Sequence, residues 1–131
     1  MKKKQSSKRK KLGLKEVCVH MGLFDYKVNF VIGDYKKLNE YVSWKFDYKN
    51  FMENESSCAP RGMCCFRTGY CPIIWIPRKP KTAREHATLA HECLHAVFHL
   101  FEWVGLPVTR NTEEVMTHSM SHLITSILKN L

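Results

Sequence analysis

The chain contains His91-Glu92-Cys93-Leu94-His95, two histidines four residues apart with a glutamate beside the first. On a helix, positions i and i+4 share one face, so the two imidazoles can grip a single ion. Zinc is the ion this H-E-x-x-H pattern suits, and the expectation is one Zn2+ held by His91 and His95. Glu92 is next along the helix and projects beside the metal rather than into its ligand set. From there it can take a proton from a metal-bound water whose pKa the ion has lowered. The chemistry indicated is hydrolysis, with water as nucleophile and Glu92 as general base. The plainer alternative is a pair of surface histidines flanking a helical glutamate.

A catalytic zinc site needs a third protein ligand and an open fourth position. His99 continues the series, but it lies eight residues beyond His91, about 12 Å along a helix axis. An ion between His91 and His95 is out of its reach. The longer pattern H-E-x-x-H-x-x-G-x-x-H needs a glycine turn and a third histidine that this chain lacks. Glu113 and Glu114 remain, 18 and 19 residues after His95. Both would open the next helix, where acidic residues also favour the helix dipole, and Glu114 could pair with Asn111 as a cap. His118 and His122 are again i and i+4. Joined to His91 and His95 they would make a closed four-histidine site.

These residues need helices to hold them. Thr82 followed by Glu85 is a capping box, and the sequence from Ala83 to Val104 stays helix-compatible until Gly105 and Pro107 stop it. A second helix should start near Asn111 or Thr112 and run almost to the C-terminus, with Met116, Met120, Leu123, Ile124 and Ile127 on its apolar stripe. Upstream, residues 26–33 alternate like a strand ending at Gly33, and residues 34–46 fit a short amphipathic helix through Leu38, Tyr41, Val42 and Phe46. Residues 47–72 read as a loop or hairpin region. Ile73-Ile74-Trp75-Ile76 is a short apolar strand, and the prolines on both sides of it suggest an edge strand. The fold class expected is α+β, a small mixed or antiparallel sheet packed on an active-site helix and a second, C-terminal helix.

The formal net charge is +9, but residues 1–15 hold eight Lys or Arg and no acid. Removing those eight leaves thirteen basic residues against twelve acidic ones, so the charge belongs to a tail. Such a segment is expected to be disordered, separable from a single domain at 16–131, and able to contact nucleic acid non-specifically. No run of about 18 apolar residues exists, and no apolar segment follows the basic N-terminus, which points to a cytoplasmic protein. The six cysteines should then be mostly reduced. Cys58, Cys64, Cys65 and Cys71 are spaced C-x5-C-C-x5-C, unlike the close pairs of structural zinc sites.

H-E-x-x-H on one helix with a glutamate on the next resembles the gluzincins, the thermolysin-like branch of zinc peptidases. The segments T-L-A-H-E-C-L-H-A-V, G-L-P-V and E-E-V-M, preceded by I-I-W-I-P, are also similar to small bacteriophage-encoded metallopeptidases. That likeness covers residues 70–128 well and 26–45 loosely. It implies a minimal zincin-like domain that hydrolyses peptide bonds, in the host cytoplasm if phage-encoded. His91 and His95 would bind zinc, Glu92 would be the general base, and a glutamate of the second helix would complete the set. Glu114 fits better than Glu113, because the ligand of that pattern has a small residue three positions on, here Thr117 rather than Met116. His118 stands where the pattern has a carboxylate that orients a ligand histidine. The strand Ile74, Trp75, Ile76 would form the cleft rim, where an extended peptide adds as another strand. The competing reading is a metal-stabilised module without turnover that binds nucleic acid or protein through its basic tail.

Overall fold

A computed structural model describes residues 13–22, 24–52 and 60–131. The strands are β1 (Lys15–His20), β2 (Lys27–Ile32), β3 (Met63–Cys65) and β4 (Ile73–Ile76). The helices are α1 (Tyr35–Lys45), α2 (Ala83–Val104) and α3 (Glu113–Lys129), with a single 3-10 turn at Arg110–Thr112 before α3. The fold is α+β, as expected. Among the described residues four strands form one mixed sheet in the order β1-β2-β4-β3. β1 pairs antiparallel with β2, β2 parallel with β4, and β4 antiparallel with β3.

Side chains alternate across this sheet, and each face carries its own helices. Val28, Phe30, Ile74 and Ile76 face one way, into a core shared with Leu89, Cys93, Val97 and Leu100 of α2 and with Leu123 and Ile127 of α3. Val31, Ile73 and Trp75 face the other way, against Leu38, Tyr41, Val42 and Phe46, the stripe expected for α1 and its C-cap. β4 is therefore buried on both faces, which explains its unbroken apolar run.

That finding corrects the edge-strand expectation. β4 lies inside the sheet between β2 and β3, and the edge on that side is β3. The prolines misled because they fall outside the four paired residues: they limit the strand's length without touching its ladder. Pro72 even contributes, its carbonyl accepting the Asn29 amide at 3.0 Å. β1 is a second departure. Lys15 already pairs with Ile32, so the sheet begins inside the segment assigned to the tail. The expectations for residues 1–12 and for Cys58 lie outside the described residues.

α2 matches its expected bounds. Thr82 accepts the Glu85 amide at 3.2 Å, and Gly105 closes the helix at a φ of 72°, where a side chain would be strained. Leu106 then donates back to the Phe101 carbonyl at 2.9 Å, and a short connection leads into α3. Among the described residues no helix is long and apolar enough to cross a membrane.

Leu123 joins α3 to the core and is fully buried, whereas Leu128 on the same helix is 37% exposed. Leu123→Ala is expected to cost about 3 kcal/mol of stability, and Leu128→Ala well under 1 kcal/mol. Urea denaturation of both variants checks this. Equal losses would mean that α3 is not docked through Leu123.

Candidate metal centre

His91 and His95 stand on the solvent face of α2, and the helical spacing brings their rings together. The ring centroids are 4.9 Å apart at an interplanar angle of 82°, and the two Nε2 atoms are 3.2 Å apart. A tetrahedral zinc with bonds of about 2.0–2.1 Å separates two ligand nitrogens by roughly 3.3–3.4 Å. The separation of the two nitrogens is close to that value, and it is also the length of a hydrogen bond between the rings. Each ring would offer an unprotonated Nε2.

Glu92 lies one residue on and turns inward, with 9% of its surface exposed. β3 runs beside it, and the Cys64 amide donates to its carboxylate. Burial pushes the Glu92 carboxyl above the usual range, opposed by His91, His95 and the Cys64 hydrogen bond. A carboxylate shifted upward is a better proton acceptor near neutral pH than a solvated one. Gly62 permits the close approach of β3. A Cβ there would sit 2.8 Å from the Thr88 methyl and 3.1 Å from Cγ of Glu92. Sequence reasoning missed both Gly62 and the Cys64 amide, because a three-residue strand inside a cysteine-rich loop carries too little periodicity to be read.

Glu114 is not brought to the histidine pair. Its side chain is 86% exposed, and Oε2 lies 3.5 Å from Nε2 of His118, its own neighbour one turn on. Among the described residues no group of three His, Cys, Asp or Glu side chains is placed to hold a metal. The cause is axial offset. α2 continues nine residues beyond His95, about 13 Å, while Glu114 is only the second residue of the returning helix. Glu113 is exposed on the same turn. The four-histidine arrangement does not form either, since Nε2 of His122 lies 2.6 Å from the His20 carbonyl oxygen on β1. Nor does Glu114 pair with Asn111 as a cap; the first turn is closed instead by Thr109 and Thr112.

Ile74, Trp75 and Ile76, expected to meet a substrate, are buried with at most 3% exposure, and their side chains fill the two cores. The rim beside Glu92 is β3. Cys64 and Cys65 are adjacent on that strand and therefore point to opposite faces, into different cores. The alternation disperses the cysteine cluster. Cys93, sealed under α2, has its thiol pushed up to about 12 by burial, with the Glu92 charge adding to the effect.

His99 has a different partner. Its Nδ1 shares a hydrogen bond of 2.6 Å with the Tyr26 hydroxyl, and Phe66 stacks on the ring with centroids 5.2 Å apart. Tyr26 is buried, and burial above all raises its phenol pKa. The folded chain thus keeps this proton at pH values where the unfolded chain releases it, above about pH 10. Stability from this group is complete below that pH and is lost as pH rises further, by at most about 1.4 kcal/mol per pH unit. Tyr26→Phe is expected to lower stability near pH 7 by about 1 kcal/mol and to flatten the decline above pH 10. Denaturant titrations at pH 7, 10 and 11 measure both effects, and an unchanged alkaline slope contradicts the assignment. Gly62→Ala, by forcing β3 off α2, should cost about 1–3 kcal/mol by the same assay. Comparison with known proteins finds no matching family model, no matching curated protein and no matching solved structure.

Proposed function

We propose that this chain is a zinc-dependent peptidase, with His91 and His95 as metal ligands and Glu92 as general base. The observation that supports this most is the 3.2 Å separation of the two Nε2 atoms, a spacing suited to a shared tetrahedral ion, next to a buried glutamate. Zinc, when bound, supplies the Lewis acidity that acidifies water and polarises a scissile carbonyl. The remaining work falls to side chains. Glu92 accepts a proton from the attacking water and delivers it to the departing amine nitrogen. The Cys64 amide orients the carboxylate for both transfers, and the buried flank of α2 keeps bulk water from solvating it. Glu114 is the proposed third ligand. Its exposed turn at the start of α3 must approach the histidine pair for it to serve.

The reading is tested by metal content and peptide hydrolysis together. Wild type should carry about one zinc, and His91→Ala and His95→Ala should each lose it. Glu92→Gln should keep the metal and the fold while hydrolysis falls by at least about 100-fold, because the amide cannot accept a proton. Hydrolysis at the wild-type rate by Glu92→Gln would remove Glu92 from the mechanism. Zinc bound by wild type without any turnover would leave a metal-braced binding module instead. Glu114→Ala should weaken zinc binding by orders of magnitude while Glu113→Ala spares it. Full zinc occupancy in Glu114→Ala would rule that ligand out.

A further inference from the structure

Two cavities lie along the first half of α2 and share Arg61, Arg84 and Thr88 in their walls. One, of about 460 Å³, reaches His91 and Glu92. The other, of about 470 Å³, extends past the start of α2 to Pro77, Arg78 and Pro80. With these shared walls the two lie next to each other, and we treat them as one cleft that runs from His91 along α2. Its far end is basic. Arg78 is already engaged by Glu85, through Nε at 3.3 Å and a terminal nitrogen at 3.1 Å. Arg61 and Arg84 are exposed, and among the described residues neither has a carboxylate partner.

Arg84 also works against its own helix. It sits in the first turn of α2, where the dipole favours acids, so it gains nothing there from the helix. A ligand carboxylate would satisfy Arg84, Arg61 and the helix terminus at once. Arg84 precedes His91 by seven residues, about 10 Å along the axis, which an extended peptide covers in three residues. Resting on the peptidase reading, we propose that the cleft selects peptides with an Asp or Glu about three residues from the scissile bond. That carboxylate would be held between Arg61 and Arg84. Volumes of about 460 and 470 Å³ are those of a short peptide segment rather than of a duplex-sized groove, which favours a peptide carboxylate over a double-stranded nucleic-acid backbone.

The test uses fluorescein-labelled hexapeptides that differ only in one residue near an end, Glu, Gln or Lys, with binding followed by anisotropy. Wild type should bind the Glu peptide at least about tenfold more tightly than the Gln peptide. Arg84→Glu and Arg61→Glu should each abolish that preference and favour Lys. Lys36→Glu, the same charge change on α1, should leave it intact. Equal binding of Glu and Gln peptides by wild type overturns the proposal, as does an equal effect of Lys36→Glu. Inorganic phosphate that displaces the Glu peptide at far lower concentration than acetate would also overturn it, by making the site one for phosphate. Because binding is read without turnover, charge-selective binding with no hydrolysis would sink the peptidase reading alone.

Discussion

The double burial of β4 is the constraint from which the rest of the architecture follows. Four residues, Ile73 to Ile76, send alternate side chains into two separate cores, and each core needs a helical lid. α1 covers one face; α2 and α3 cover the other. Once Ile74 and Ile76 must be covered, α2 has to lay Leu89, Cys93, Val97 and Leu100 on the sheet. Its 3.6-residue period then turns His91 and His95 to solvent and tucks Glu92 toward β3. The exposure of the two histidines and the burial of the glutamate are therefore consequences of packing.

How much of this could be read in the sequence depended on how local the signal was. Thr82, Glu85 and Gly105 act within a turn of their own positions, and α2 was legible to the residue. The Leu38, Tyr41, Val42 stripe gave α1 for the same reason. Strand position in a sheet is a non-local property, and there the reading failed. The prolines around Ile73–Ile76 reported on where the strand ends, not on who its neighbours are. β1 went unseen because only Val19 of its six residues is fully buried, leaving little alternation to detect beside a lysine-rich segment. The histidine pair was legible because both residues lie on one helix. Glu114 required the relative axial position of two helices, which no spacing along the chain encodes.

The surroundings of Glu92 show two opposed effects in balance. Desolvation favours the neutral acid, while two imidazoles and a backbone amide favour the anion. Gly62 sets where that balance falls, because it fixes how closely β3 can press on Thr88 and Glu92. A glycine in an unremarkable loop thereby helps govern the basicity of a carboxylate thirty residues away in the chain.

The Tyr26–His99 hydrogen bond has a consequence for how this helix can change. It ties α2 to the sheet hairpin one turn beyond His95, and so acts as an angular gauge on the helix. A residue inserted between His95 and His99 would rotate one side of the insertion by about 100° relative to the other. Either Tyr26 would lose its partner or the imidazole pair would swing away from the cleft. The stretch from Glu92 to His99 is thus a segment of fixed length, in which sequence can drift by substitution but not by insertion or deletion.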